Sequence, residues 1–467
     1  MVFFSRRTIA LLSGPLVCGV IKVLPNPEGL PSEGQASLAV LGFCVCWWLL
    51  GAVPLPVTSL VGLALLPTLG ALPTQTALSL FGNQAVFFVV GVFIIAAVML
   101  QTGLSARVTL LGLKRFGKSE NALCTTTLIL SWSLCAIMVS HAVAALLLPI
   151  ILNVTQALNL KHRSRLARRL LLSMAWGTVC GSNIGLLSSA RASLSLELYD
   201  NYRAEYGGAA IGMVEYSLAS VPISLVSLLM AGLLLRWLFP PENIDLRAAL
   251  DKLDAELQRK GPVSAQEWIV VALLILMISV MIVAGPSHLG IIALLCTGVF
   301  FACQLLRWED AERYVNWGIV LLYGGAIAVG AAVHQTGAAE WLVLQSLPTS
   351  AVLPSLVLLC IALVITLSTE LISNSAVIAI VLPVALAMSE QVGIPARVIA
   401  ISAPVCAGFA FVLPTSTPAM AMVFGSGYLR TRDTIYGVAL SAISLIIFWA
   451  MSAFWWPLIG IEPWRGV

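Results

Sequence analysis

Long apolar stretches, each near the length that crosses a lipid bilayer, alternate along this chain with short polar segments. About 20 consecutive apolar residues span the hydrocarbon core as a helix. Stretches at 85–100 (with its flanks), 217–235, 268–284 and 434–455 approach or reach that length. None alternates polar and apolar residues as a barrel strand does. Backbone in lipid must satisfy its own hydrogen bonds, so the pattern predicts a bundle of helices. The run 8–24 behind Arg6-Arg7 lacks a small-residue cleavage site, and further apolar segments follow at once. It reads as the first span rather than a signal peptide. The one long polar stretch, 241–262, carries Leu246, Leu250, Leu253 and Leu257 at helical spacing. It predicts an amphipathic helix on the cytoplasmic surface that divides the chain into halves.

Composition agrees. Of 467 residues, 60% are hydrophobic and 10% charged, too few charges to cover a soluble protein. The net charge of +4 matters less than its placement. Basic residues concentrate at Arg6-Arg7, at 107–118 (with Lys114 and Arg115), at 161–169 (with Arg163, Arg165 and Arg168) and at 236–260, which predicts that these segments face the cytoplasm. The second and third bracket 121–158, which is apolar throughout. That stretch is too long for one span and short for two with a loop. It predicts a re-entrant hairpin that turns at Val139-Ser140-His141 and returns through Leu148-Pro149; two short full spans are the alternative. The ten cysteines are scattered among apolar residues, with no CxxC pair and no His/Cys cluster to suggest a metal centre.

The halves repeat. Residues 91–103 read GVFIIAAVMLQTG and 325–337 read GAIAVGAAVHQTG, at an offset of 234 (325 − 91 and 337 − 103). The same offset carries Leu148-Pro149 onto Leu382-Pro383 and Val139-Ser140-His141 onto Ser373-Asn374-Ser375. A second hairpin is therefore expected at about 340–394, with its tip at 373–375 and few basic residues nearby. Counting spans, the second copy lies upside down relative to the first. Inverted repeats with broken helices near the midplane mark secondary transporters, because interrupted helices bring free N–H and C=O groups to a buried site. A second polar break follows each hairpin. It is Leu413-Pro414-Thr415-Ser416-Thr417-Pro418 in one half and 181–191, from Gly181 through Ser188-Ser189 to Arg191, in the other. Two prolines four apart cannot sit in a continuous helix.

The motifs SNSAVIAIVLPVA (373–385) and LPTSTPAMAMVFGSG (413–427) resemble the divalent anion/sodium symporter family of di- and tricarboxylate carriers, over roughly 35–458. The resemblance implies an all-α integral membrane fold with about eleven spans and two re-entrant hairpins. It also implies a homodimer and an elevator motion. Residues 1–105 would hold scaffold helices and the first transport-domain helix. Residues 106–215 and 341–430 would be the two transport halves. Residues 216–340, with the linker helix 241–262, and 431–467 would complete the scaffold. Carried over by position, Thr369, Asn374 and the carbonyls of Ile372 and Ser416 would form one Na+ site. Ser373, Asn374, Ser375, Thr417 and Pro418 would line the anion site.

The first half departs from the family pattern. Its tip has Ser140 and His141 where the family has Asn and Thr, and its break has Ser188-Ser189-Ala190-Arg191 where the family has Gly-Thr-Pro-Pro. The Na+ site expected there loses ligands. Two cationic or cationisable groups, His141 and Arg191, appear instead. One expectation is that Ser140, His141, Ser189 and Arg191 take part in the anion site, with positive charge replacing one bound Na+; an Arg fork suits carboxylate or sulfonate oxygens. The alternatives are that His141 is a hydrogen-bonded packing residue and that Arg191 pairs with Glu370 or snorkels. The function expected is cation-coupled transport of small organic anions in a bacterial inner membrane, with a cytoplasmic N-terminus and a periplasmic C-terminus. No nucleic-acid partner and no cofactor beyond Na+ are expected. Alternatives are a sulfate or sulfonate carrier, a Na+-independent or proton-coupled exchanger on the same fold, a channel and, from another class, an intramembrane enzyme.

Overall fold

The computed structural model describes residues 6–162, 164–346 and 353–463. Arg163 and the stretch 347–352, which fall in the third basic segment and in the expected second hairpin, lie outside the described residues. Those residues form a bundle of helices, eight of them long and apolar enough to cross a membrane. The apolar stretches become Gln84–Gln101, Met213–Leu238, Ala265–Ala284 and Gly437–Phe454. Helix Ala265–Ala284 shows how a bundle edge is made. It buries a stripe of Val270, Leu274, Met277 and Met281, and exposes Ile275, Leu276, Ile282 and Val283. The stripe follows the helical period, and the bare apolar face suits lipid. The exposed Trp237 and Trp268 lie at one end of the bundle, as interfacial tryptophans do.

The two copies of the repeated glycine segment lie in Gln84–Gln101 and Trp317–Gln335, within the two most buried of the eight candidate spans. Each ends in Gln-Thr-Gly. Gly103 (φ 75°) and Gly337 (φ 69°) adopt the left-handed conformation that ends a helix at little cost when no Cβ is present. A new helix begins at once, Leu104–Phe116 in the first half and Ala338–Ser346 in the second. Ala338–Ser346, within the expected hairpin stretch 340–394, packs on Asn374–Ala387, and the next helix begins at Pro354.

Contacts across the repeat are exchanged. A methyl group at Gly91 would lie 2.5 Å from the Cβ of Ala293, and one at Gly325 would collide with the backbone of Ser59. These pairs correspond, since 293 − 59 is again 234. Each central helix thus packs closely against a helix of the other half. The same crossing recurs further on. Helix Ala190–Tyr206 packs on Asn374–Ala387 and Ala396–Cys406, while Pro418–Gly425 packs on Ser140–Ala157 and Arg165–Gly181. The helix after each break therefore lies against the other half's hairpin.

Each predicted hairpin segment is a pair of helices, Glu120–Leu134 with Ser140–Ala157 and Pro354–Leu371 with Asn374–Ala387, and Ser140–Ala157 and Pro354–Leu371 are among the eight candidate spans. The first arm, at 15 residues, is about 22 Å long, short of a 30 Å hydrocarbon core. Their bases lie at opposite ends of the bundle. The Glu120 carboxylate accepts from the backbone N–H of Glu242 (2.8 Å) and Ile244 (2.5 Å), just past the end of Met213–Leu238. Arg397, just past the second hairpin, pairs with Glu215 at the start of that helix. At 26 residues it holds the two ends about 39 Å apart.

The predicted amphipathic helix is Arg247–Lys260, shorter than 241–262 because 241–246 is a strap. It joins the basic end of the bundle to the first hairpin. Asn153 on the return arm donates to the Glu256 carboxylate (3.1 Å), and Lys114 pairs with Asp254. Arg107 bonds Glu267 (2.7 Å) and the Gly261 carbonyl (2.7 Å), tying the linker to the following span.

Candidate functional site

Four helices begin at one cavity of about 480 Å³. Ser140–Ala157 and Asn374–Ala387 are the return arms of the hairpins; Ala190–Tyr206 and Pro418–Gly425 follow the breaks. The offset of 234 holds at the tips, where Ser140 and Asn374 are the first helical residues. Each helix N-terminus carries roughly half a positive charge and leaves N–H groups free, so four of them facing one space favour an anion.

The structure brings every anion-site candidate to this cavity. Ser140, His141, Ser189 and Arg191 line it from the first half. Ser373, Asn374, Ser375, Thr417 and Pro418 line it from the second. Of the cation candidates, Asn374 and Ser416 line it, while Thr369 and Ile372 do not. Thr369 is buried, and its hydroxyl donates to the Thr366 carbonyl (3.0 Å).

In the first half the break carries a buried guanidinium. The Arg191 side chain does not snorkel, and among the described residues it pairs with no carboxylate. Its Nε donates to the Pro404 carbonyl (2.8 Å) and Nη1 to the Ser189 hydroxyl (2.8 Å). Nη2 donates to the Ser182 hydroxyl (2.9 Å) and the Asn183 amide oxygen (2.6 Å), with the Ser182 carbonyl at 3.3 Å. Ser182 and Pro404 stand at the C-terminal ends of Arg165–Gly181 and Ala396–Cys406, where helix dipoles are negative. His141, beside it in the lining, packs on Phe93 with ring centroids 5.2 Å apart and has no hydrogen-bond partner among the described residues. The ring contact is the packing that one alternative supposed, without a protein hydrogen bond among the described residues.

In the second half the fixed charge is negative. The Glu370 carboxylate accepts from the backbone N–H groups of Phe411 (2.8 Å), Val412 (3.1 Å) and Leu413 (2.9 Å). The alternative in which Arg191 pairs with Glu370 is therefore not what forms. A break with its own exposed N–H groups satisfies that carboxylate first, through charge-assisted bonds. Four residues on, the Asn374 amide oxygen is buried with no hydrogen-bond partner among the described residues. Buried polar atoms are rarely left unpaired in the absence of a functional reason. Thr415, in the lining, ties the break to the tip by donating to the Glu370 carbonyl (3.2 Å).

Sequence reasoning missed Tyr323. Its hydroxyl bonds the Ser375 hydroxyl (2.8 Å) and anchors the second tip to a central helix, as Phe93 packs on His141 at the first. A tyrosine inside a buried apolar helix needs a partner, and that was the available signal. Gly408 was also missed: a methyl group there would collide with Arg191 Nη2 and the Asn183 amide.

Residues 6–461 match the family described as the sodium:sulfate symporter transmembrane region. The chain belongs to this family, that of the divalent anion/sodium symporters. A relative, the sodium-dependent dicarboxylate transporter SdcS of Staphylococcus saprophyticus, is 25% identical over 99% of this chain and 96% of its own length. Two solved structures share the fold. The MtrF efflux pump of Neisseria gonorrhoeae aligns over 99% of this chain and 97% of its own, with a TM-score of 0.59 and 14% identity. The YdaH transporter of Alcanivorax borkumensis aligns over 81% of this chain and 88% of its own, with a TM-score of 0.52 and 18% identity. The chain is thus a multi-pass membrane transporter rather than an enzyme.

Proposed function

We propose that this symporter-family member carries small dicarboxylate-like anions across a bacterial inner membrane, driven by Na+, with the anion held between the two hairpin tips. The observation that carries this reading is the convergence of both tips and both breaks on one cavity, ringed by four helix N-termini and Arg191. Two carboxylates separated by a short carbon chain suit two opposed sets of donors. Ser140 and Ser189 face from one half, and Ser373, Ser375 and Thr417 from the other. The Arg191 side chain has five N–H groups. Its bonds to protein oxygens occupy four, leaving one on Nη1 for the anion.

The Na+ reading rests on the second half. Asn374 offers an unpartnered amide oxygen, Ser416 a neighbouring carbonyl, and Glu370 a fixed negative charge in the same tip. Sodium, a hard cation, takes oxygen ligands of this kind, and the sodium-dependent relative supports the assignment. Thr369 and the Ile372 carbonyl complete the proposed set.

In this reading both helix pairs are re-entrant, about eleven spans surround them, and the N-terminus is cytoplasmic and the C-terminus periplasmic. The transport body is 106–215 with 341–430. With the first transport-domain helix from within 1–105, it moves as an elevator against a scaffold of the remaining helices of 1–105, 216–340 and 431–467, in a homodimer. The exchanged packing of the two halves favours motion as one body, and the linker helix ties that body to the scaffold.

The test is uptake of labelled succinate into proteoliposomes with an inward Na+ gradient. Accumulation above equilibrium, lost when K+ replaces Na+, is expected. Equal uptake without Na+, or uptake of sulfate but of no dicarboxylate, would refute the reading.

A further inference from the structure

The oxygens around Arg191 have the composition of a cation site. Two are carbonyls at the ends of broken helices (Ser182 and Pro404), two are hydroxyls (Ser182 and Ser189) and one is an amide oxygen (Asn183). They come from both halves, and no carboxylate is among them. Oxygens in such a ring, on the negative ends of two helices, hold a hard cation well. Arg191 is 5% exposed, so its charge stands in the cage and not in solvent. A buried charge is costly unless paired or fully hydrogen-bonded, and here neutral oxygens alone do that work. Gly408 keeps the room that the guanidinium and Asn183 require.

We infer that the first break contains a latent Na+ site, permanently filled by the Arg191 guanidinium and unmasked when that side chain is removed. The inference rests on the cation-coupled reading above and narrows it: one exchangeable Na+ binds in the second half, and the first-half charge is part of the chain. A covalent cation travels on both the loaded and the empty leg of a transport cycle. It helps to hold the anion but carries no ion down a gradient.

The number of sodium ions bound decides this without any transported anion. Equilibrium binding of ²²Na+ to the full chain in detergent is expected to give one ion per chain for the wild type and two for Arg191→Ala. Asn374→Ala in the Arg191→Ala background is expected to return the number to one. If Arg191→Ala does not fold, Arg191→Ser, which adds a hydroxyl to the cage, is expected to show the same gain. Arg191→Lys, which keeps a charge in the cage, is expected to show none. Two ions on the wild type, or no gain when Arg191 is removed, would overturn the inference even if Na+-driven succinate uptake is intact. Conversely, a wild type that takes up no succinate would defeat the transport reading and leave the gain of one ion as the measure of this one.

Discussion

The two halves of the molecule solve one electrostatic problem in opposite ways. At the first break a guanidinium sits among neutral oxygens. At the second tip a carboxylate sits among backbone N–H groups, and an amide oxygen four residues on has no partner among the described residues. On the proposed reading, an anion between them would meet positive charge that is covalent on one side and borrowed from solution on the other. The difference bears on coupling. One elementary charge moving through 100 mV is worth about 2.3 kcal/mol, roughly a 50-fold concentration ratio. A charge that returns with the empty carrier adds nothing to that ratio. On that reading the repeat supplies the scaffold, and single substitutions would decide how many ions each half takes from solution.

Breaking the second half should have the largest effect. Asn374→Ala removes the unpartnered oxygen, and the Na+ concentration for half-maximal uptake is expected to rise 10- to 100-fold, the equivalent of about 1.4–2.8 kcal/mol. An unchanged value would put the exchangeable ion elsewhere. Of comparable size, but read on stability rather than on Na+ dependence, is Glu370→Gln in the same half, which replaces a carboxylate bonded by three N–H groups with a neutral amide. Exchanging charged for neutral hydrogen bonds is expected to lower stability by about 2–4 kcal/mol, read as a fall in the detergent-solubilised melting temperature. Gly408→Ala sharpens the first half, because the new methyl group displaces the guanidinium. Succinate affinity is expected to fall about 10-fold, the equivalent of one displaced charged hydrogen bond, with little change in Na+ dependence. A smaller loss is expected from Tyr323→Phe, which frees the Ser375 hydroxyl at about 0.5–1.5 kcal/mol, seen as a few-fold rise in the succinate KM. The smallest is His141→Gln. With no hydrogen bond to lose, uptake between pH 6 and 8 is expected to keep its profile; a lost pH dependence would make His141 the coupling group.

Much of this was legible in the sequence because the repeat is literal. The offset of 234 aligned the tip triplets, and both start helices at the cavity. It did not carry through the breaks. Helix Ala190–Tyr206 starts at 190 and its counterpart Pro418–Gly425 at 418, so the register there is 228. By that register Arg191 corresponds to Ala419, and Asn183, counted from the preceding helix ends Gly181 and Cys406, corresponds to Gly408. The cage was illegible for the same reason. Its Pro404 carbonyl is a backbone atom of the other half, 213 residues away, and is brought in by exchanged packing. Glu370 misled because sequence proximity to a tip suggested a charge partner, whereas the nearest donors were the N–H groups of a helix break.

The most direct test of the account is a cryo-EM map of the full chain with Na+ and succinate. It predicts anion density bridging the two hairpin tips between Ser140 and Ser373, one cation density at Asn374, and the Arg191 guanidinium in place among Ser182, Asn183, Ser189 and Pro404. A second cation in that cage with Arg191 swung out, or anion density away from the tips, would contradict it.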